Sequence, residues 1–441
     1  MKWIATTEKS KWREKEVNLK AESCKDKIIL TGREFQKIKG FGGCFNELGR
    51  AALLKAKEDE RKKAIKELFD QKDGCKFSLC RVPIGASDYA LDWYSLNEHD
   101  NDFEMKNFSI ERDKLYLLPY IKEAMEFCPD LKLFASPWSP PTWMKNPKVY
   151  NYGRIRMEEP ILSAYALYFK KFVESYKEQG VNVAQIHVQN EVFADQKFPS
   201  CLWSSEQLKV FIRDYLGPLF EKSGMDTEIW LGTLNGPEDM SFGFTGIRLE
   251  NYHRFIDNIL FDEKARRYIS GIGYQWAGRG AIARTYESWP EIQLMQTENE
   301  CGDGSNSWEY AEYVFGLARH YLKNGANAYV YWNMALEPGG ESTWGWKQNS
   351  MLTVIPESGE IVYNPEFYAM KHYSHFIMPG AVRLETIGHC SSMGCAFKNP
   401  NGETVLVVQN ALDYDKAFTF EGGGKTFTAV LEKNSFNTFV F

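Results

Sequence analysis

The sequence predicts an α/β fold, a (β/α)8 TIM barrel with an attached antiparallel β-sandwich side domain, on three observations. Short apolar, β-branched or aromatic runs alternate eight times with longer amphipathic stretches across residues 37–378. Each run ends in polar or turn-prone residues, the pattern of parallel strands joined by right-handed helical crossovers. After Pro379-Gly380 the texture changes to short alternating segments separated by Gly, Asn and Asp, which marks antiparallel strands.

In chain order, the barrel strands are expected at 37–44, 76–84, 131–137, 183–190, 228–234, 269–276, 292–298 and 327–333. Gly42-Gly43 closes the first and is read as a tight turn at the barrel rim. Leu162, Tyr165, Ala166, Phe169, Phe172, Val173 and Tyr176 form a 3.6-period apolar face on a helix ending at Gly180. Ser204-Ser205-Glu206-Gln207 is a capping box, in which Ser204 and Gln207 satisfy opposite backbone donors. A weak helical pattern follows the sixth strand at 279–288, and a stronger one runs from Ser307 through Val314 and Leu317 to Tyr321, stopping at Gly325. An open doubly wound sheet would carry a GxGxxG turn after its first strand, and Gly40-Phe41-Gly42-Gly43-Cys44-Phe45 lacks that spacing. Strands of the side domain are expected at 382–384, 395–397, 404–409, 417–420 and 438–441. Residues 1–36 lack a helical period and are too few for a domain, so some should pair with these strands; the division is therefore 37–378 against 1–36 plus 379–441.

The composition excludes several function classes. With 53 Lys and Arg against 59 Asp and Glu, the net charge is −6 and no basic tract exists, so nucleic acid is not an expected partner. No apolar run reaches the roughly 18 residues that a membrane span needs. The amino terminus, Met1 to Lys9, has no signal-like apolar core; the protein is expected in the cytoplasm, or outside it with a leader removed. Nine scattered cysteines do not form a disulfide framework, and Cys390 with Cys395 has no matching pair for zinc. Seven histidines include no HExxH, and His187 inside an apolar strand reads as core. Asp303-Gly304-Ser305-Asn306 lacks the terminal acid of a calcium loop, Ser391-Ser392-Met393-Gly394 lacks nucleophile-elbow spacing, and Lys55–Lys66 is a solvated helix face. Neither metal nor cofactor is expected.

Two acids stand where a barrel keeps its chemistry, at the carboxyl ends of strands. One strand ends Val188-Gln189-Asn190-Glu191, another Gln296-Thr297-Glu298-Asn299-Glu300. Facing carboxylates are what glycoside cleavage requires, one protonated to release the leaving oxygen and one ionised. Exposed loop acids are the alternative. Aromatic residues make up 15% of the chain, and Trp93, Trp138, Trp143, Trp276, Trp332, Trp344 and Trp346 fall in or beside loop-like stretches. Rings at such positions suit stacking on sugar faces.

Taken together, these motifs resemble glycoside hydrolase family 30, the acid β-glucosidase (glucosylceramidase) group of retaining (β/α)8 glycosidases. Lys39-Gly40-Phe41-Gly42-Gly43 is similar to the family's first strand, and Arg81-Val82-Pro83-Ile84-Gly85-Ala86-Ser87-Asp88-Tyr89 to its second. Ala135-Ser136-Pro137-Trp138-Ser139-Pro140-Pro141-Thr142-Trp143-Met144-Lys145 is the most specific match. Trp332-Asn333-Met334-Ala335-Leu336-Glu337-Pro338-Gly339-Gly340 resembles the eighth strand, and His375-Phe376-Ile377-Met378-Pro379-Gly380 the passage into the side domain. The resemblance implies Glu191 as general acid/base, Glu298 as nucleophile, Asn190 on the 2-hydroxyl, Asp88 and Trp138 on the remaining hydroxyls, and Trp332 as the floor.

This chain also departs from the family. Both Glu298 and Glu300 align with the nucleophile motif, and they share a face if the strand continues; Glu298 is preferred because it directly follows the apolar strand. Val192 replaces the proline after the acid/base. Gly273-Tyr274-Gln275-Trp276 stands where the family carries His-Trp-Tyr, and the substrate contacts expected here are Tyr274 and Trp276. The resemblance implies a retaining β-glycosidase acting on a β-linked glucoside or oligosaccharide. Endo-β-1,6-glucanase, β-xylosidase and a non-catalytic carbohydrate-binding barrel are the alternatives.

Overall fold

A computed structural model describes residues 1–17, 23–235 and 252–441, with two short backbone stretches at 241–242 and 247–248. Eight parallel strands close into a barrel: Gly40–Cys44, Leu79–Ile84, Lys132–Pro137, Val183–His187, Glu228–Leu234, Ile269–Gln275, Gln293–Glu298 and Ala326–Asn333. The last pairs with the first through Ala328 with Gly40 and Tyr329 with Phe41. All eight lie within or overlap the expected ranges. The capping box at Ser204 is present, and the weak pattern after the sixth strand is the helix Arg279–Ser288.

Alternation along the strands sorts side chains into two layers. Leu79, Phe134, Trp230, Met295, Ala328 and Val330 fill the barrel interior. Cys80, Val82, Ile186, Ile272, Tyr329 and Tyr331 belong instead to the layer packed against the helices. His187 is an interior residue as expected, stacked 5.2 Å from Trp230 and 4.7 Å from Phe134, and burial holds its imidazole neutral.

The Gly42-Gly43 pair does not form a turn. Both lie inside the buried first strand, where a Cβ on Gly42 would meet the Leu79 carbonyl oxygen at 2.0 Å and one on Gly43 the Met334 Cγ at 2.4 Å. Close approach of neighbouring chain, rather than a change of direction, excludes side chains there.

The side domain is one nine-stranded sheet, in the order Arg13–Lys15, Lys2–Thr7, Ser435–Val440, Thr404–Asn410, Gly394–Lys398, Val382–Ile387, Lys27–Lys37, Lys416–Gly422, Lys425–Leu431. Amino-terminal strands do pair with carboxy-terminal ones, although Lys27–Lys37 runs parallel to Lys416–Gly422 and Lys425–Leu431 was not anticipated. The sheet folds onto itself as a sandwich: Phe439, near one end of the order, contacts Phe427 and Phe418 from the other at 5.2 and 5.8 Å. No helix among the described residues is long and apolar enough to cross a membrane.

Helices Trp308–Lys323 and Pro365–Ser374 join the sheet to the barrel. Phe436 stacks on Trp308 and Phe315, each at 4.6 Å. His372, buried between them, meets Thr438 Oγ1 and Thr6 Oγ1, both at 2.9 Å. Burial lowers its pKa to about 3 and that of His375 to about 4. The unfolded chain therefore binds more protons below about pH 6.5, and stability must fall as pH drops through that window. Urea unfolding from pH 7 to 4 should show this decline, and His372→Gln should flatten its slope; an unchanged slope would refute the assignment.

Candidate active site

At the carboxyl end of the barrel, strands contribute side chains to one buried polar cluster centred on Arg81. Arg81 lies on the second strand with Leu79, which faces the interior, so period two turns the guanidinium inward as well. It has no solvent exposure, and an arginine keeps its proton even there. Arg81 Nη1 donates to Glu298 Oε2. Its Nη2 donates to Asn190 Oδ1 at 2.5 Å, Ser136 Oγ at 2.9 Å and Thr233 Oγ1 at 3.1 Å. Gln275 Nε2 completes the network by donating to Asn190 Oδ1 at 2.8 Å and Thr233 Oγ1 at 2.9 Å.

Glu298 owes its direction to a bulge. Tyr274 pairs with Gln296, yet the next residue, Gln275, pairs with Glu298. One extra residue, Thr297, shifts the alternation so that Glu298 faces inward opposite Gln275. The strand then ends, so period two no longer relates Glu298 to Glu300. Glu300 instead accepts a hydrogen bond from Tyr313 of helix Trp308–Lys323. Of the two acids, only Glu298 joins the Arg81 cluster.

Glu191 follows the fourth strand. Its amide donates to the Thr233 carbonyl at 2.8 Å, and its φ of 49° lies in the left-handed region that non-glycine residues rarely occupy. Asn235 Nδ2 donates to Glu191 Oε1 at 2.9 Å, and Ala277 N in turn holds Asn235 Oδ1 at 3.0 Å.

The carboxyls interact electrostatically. Burial raises the pKa of Glu191, against the Asn235 hydrogen bond and Arg81. Burial also raises Glu298, with the charges of Glu191 and Asp88 adding to it and Arg81 opposing. Asp88 is raised by burial and by Glu191. Three acids around one permanent cation cannot all ionise in a dry site. The two glutamates differ in their contacts: Glu298 touches the guanidinium, whereas Glu191 is held by a neutral amide.

Trp138 and Trp332 sit 5.4 Å apart at 32°, and the guanidinium carbon lies 4.3 and 5.3 Å from their centroids. Asp88 accepts from the Trp138 indole. Its Oδ1 and the Trp332 Nε1, both buried, have no partner among the described residues, so an acceptor and a donor stand ready for a polyol.

The structure thus gathers Glu191, Glu298, Asp88, Trp138, Asn190 and Trp332. Trp276, half-buried, opens the turn that carries Ala277 beside Asn235. Tyr274 is not brought in. It is fully buried and its hydroxyl meets Thr285 Oγ1 of helix Arg279–Ser288 at 2.6 Å; alternation gives the inward place to Gln275. Arg81, Thr233, Asn235 and Gln275 were missed. For Arg81 a signal existed: a charged residue inside an apolar strand must find a buried partner.

The family model "Glycosyl hydrolase family 30 TIM-barrel domain" matches residues 38–377, and "Glycosyl hydrolase family 30 beta sandwich domain" matches 380–439. The chain is 26% identical over 416 residues to the lysosomal acid glucosylceramidase of Mus musculus, covering 88% of this chain and 77% of that protein. It is 25% identical over 373 residues to the endo-1,6-beta-D-glucanase neg1 of Aspergillus fumigatus, covering 78% and 72%. The solved endo-beta1,6-glucanase BT3312 superposes with a TM-score of 0.87 at 25% identity, covering 100% and 98%.

Arg81→Met should cost about 3–5 kcal/mol at neutral pH by leaving buried acids without their cation. Without the guanidinium, Glu298 takes up a proton in the fold; its raised pKa makes the variant lose stability as pH rises. Denaturant titration at pH 5 and pH 8 measures this, and a penalty independent of pH would contradict it.

Proposed function

The chain belongs to glycosyl hydrolase family 30, and from that membership and its paired carboxyls we propose a retaining β-glycosidase that hydrolyses β-glucosidic bonds through a covalent glycosyl-enzyme. The catalytic unit is 37–378, and 1–36 with 379–441 form the side domain. The observation that carries the reading is the unequal environment of the two acids: Glu298 against the Arg81 guanidinium, Glu191 against the Asn235 amide.

The mechanism follows from this inequality. Glu298, ionised, attacks the anomeric carbon as Glu191 gives its proton to the departing oxygen. The new ester consumes the negative charge on Glu298, so a second ionised carboxyl beside it is no longer disfavoured when Glu191 turns to base. Glu191 then takes a proton from water, which attacks the same carbon; the bond to Glu298 breaks, its carboxylate returns and the sugar leaves. Asn190, whose Oδ1 is held by Arg81, Gln275 and Thr233, is left with its amide group to donate to the 2-hydroxyl. Asp88 and Trp332 supply the unpartnered acceptor and donor for other hydroxyls. Ring burial at Trp138 and Trp332 dries the site and strengthens each of these contacts.

A second reading, endo-β-1,6-glucanase, is supported by the two glucanases similar over most of this chain. A β-xylosidase or a non-catalytic carbohydrate-binding barrel has no comparable support.

Glu298→Gln should lower turnover of an aryl β-glucoside by roughly three orders of magnitude or more. Glu191→Gln should spare substrates with activated leaving groups, and azide should rescue the Ala variants with opposite stereochemistry: an α-azide from the nucleophile variant, a β-azide from the acid/base variant. Activity should decline on the alkaline side as Glu191 loses its proton. Undiminished turnover in Glu298→Gln would defeat the assignment.

A further inference from the structure

We propose that Trp93, Tyr150 and Trp344 form a leaving-group subsite that stacks on a pyranose ring, making the preferred aglycone a sugar. This rests on the retaining-glucosidase reading and specifies its substrate class. The three rings come from loops after the second, third and eighth strands, the same rim that bears the acids. Trp93 lies 5.5 Å from Tyr150 at 21° and 4.9 Å from Trp344 at 68°. All three are half-buried, whereas the floor rings Trp138 and Trp332 are almost fully enclosed. Trp344 packs directly against the cluster containing those floor rings, so one aromatic surface runs from the floor to the rim.

The rim is held in place before any ligand arrives. Tyr89 Oη donates to the Gly340 carbonyl at 2.7 Å and Thr343 Oγ1 to the Ala90 carbonyl at 2.6 Å, tying the loop of Trp344 to that of Trp93. Lys145, buried, donates to the Tyr150 carbonyl at 3.0 Å and the Ser200 carbonyl at 2.6 Å. That ammonium links the loop of Tyr150 to the loop that follows Glu191. Fixed rings lose little entropy on binding.

The surroundings favour a sugar over an alkyl chain. Tyr150 donates to Glu98, which also accepts from the Thr142 amide at 3.1 Å. Two residues along from Trp344, Trp346 has Lys197 4.6 Å over its ring and contacts Phe198. Ionic groups interleaved with rings offer hydroxyl partners beside apolar faces; a hydrocarbon tail would desolvate those charges without compensation.

The test compares kcat/KM for gentiobiose, octyl β-glucoside and β-glucosyl fluoride, whose leaving group has no ring. Fluoride turnover also reports the integrity of the fold and of the acids. In Trp344→Ala the gentiobiose-to-fluoride ratio should fall at least about tenfold, with partial recovery in Trp344→Phe. Trp93→Ala should act in the same direction. The same glucosyl-enzyme forms from the fluoride in every variant, so its partition between water and added glucose reads the subsite separately. Glucose attacks through a hydroxyl, the bond to Glu298 breaks and Glu191 takes the proton; transfer product should drop in Trp344→Ala. An unchanged ratio, or a greater loss on octyl glucoside than on gentiobiose, overturns the proposal while leaving the glucosidase reading intact. Wild-type protein inert toward all three compounds overturns that reading and this one with it.

Discussion

One permanent cation in a dry place organises this protein's chemistry. Arg81 has no exposure and cannot shed its proton, so the fold must surround it with acceptors. It does so with side chains from the third, fifth and seventh strands and with Asn190, just past the fourth. The symmetry between the two glutamates is broken by contact: one touches the guanidinium, the other a side-chain amide. The same group presents its face to Trp138 and Trp332, joining the electrostatic centre to an aromatic floor.

Closing the barrel makes that arrangement possible. The interior below Arg81 is filled with Leu79, Phe134, Trp230 and Met295, so polar groups collect only at the carboxyl end, where strands stop and water is limited. Among the described residues, the side sheet contributes no group to the cluster. It covers helices Trp308–Lys323 and Pro365–Ser374, the partners of the seventh and eighth strands, and so braces the wall that carries Glu298 and Trp332. The site is divided in the same way: strand ends carry the carboxyls, while loops after the second, third and eighth strands carry the half-buried rings Trp93, Tyr150 and Trp344.

Much of the fold was legible because hydrophobic periodicity is a local signal. Strand ranges, the Ser204 cap and the helix stops at Gly180 and Gly325 all depend on neighbours within a few residues. Errors arose where a contact came from afar. Gly42-Gly43 looked like a turn because glycine pairs often are; the Leu79 carbonyl and the Met334 side chain that exclude a Cβ there come from the second strand and from just past the eighth. Tyr274 looked like a sugar contact because it stands where the family carries His-Trp-Tyr, but parity along Ile269–Gln275 aims it at Thr285.

The linear sequence by itself determined the class of fold, the order of its elements and the residue types at each strand end, since propensity, capping and periodicity act over short distances. It also carried both acids and their motifs. Only the tertiary structure decided which of Glu298 and Glu300 turns inward, because a bulge against the neighbouring strand sets that parity. It alone decided that Arg81 serves Glu298, since residues more than two hundred positions apart meet only when the barrel closes. Charge placement in a buried site is a property of three-dimensional neighbours, and a sequence specifies those only by folding.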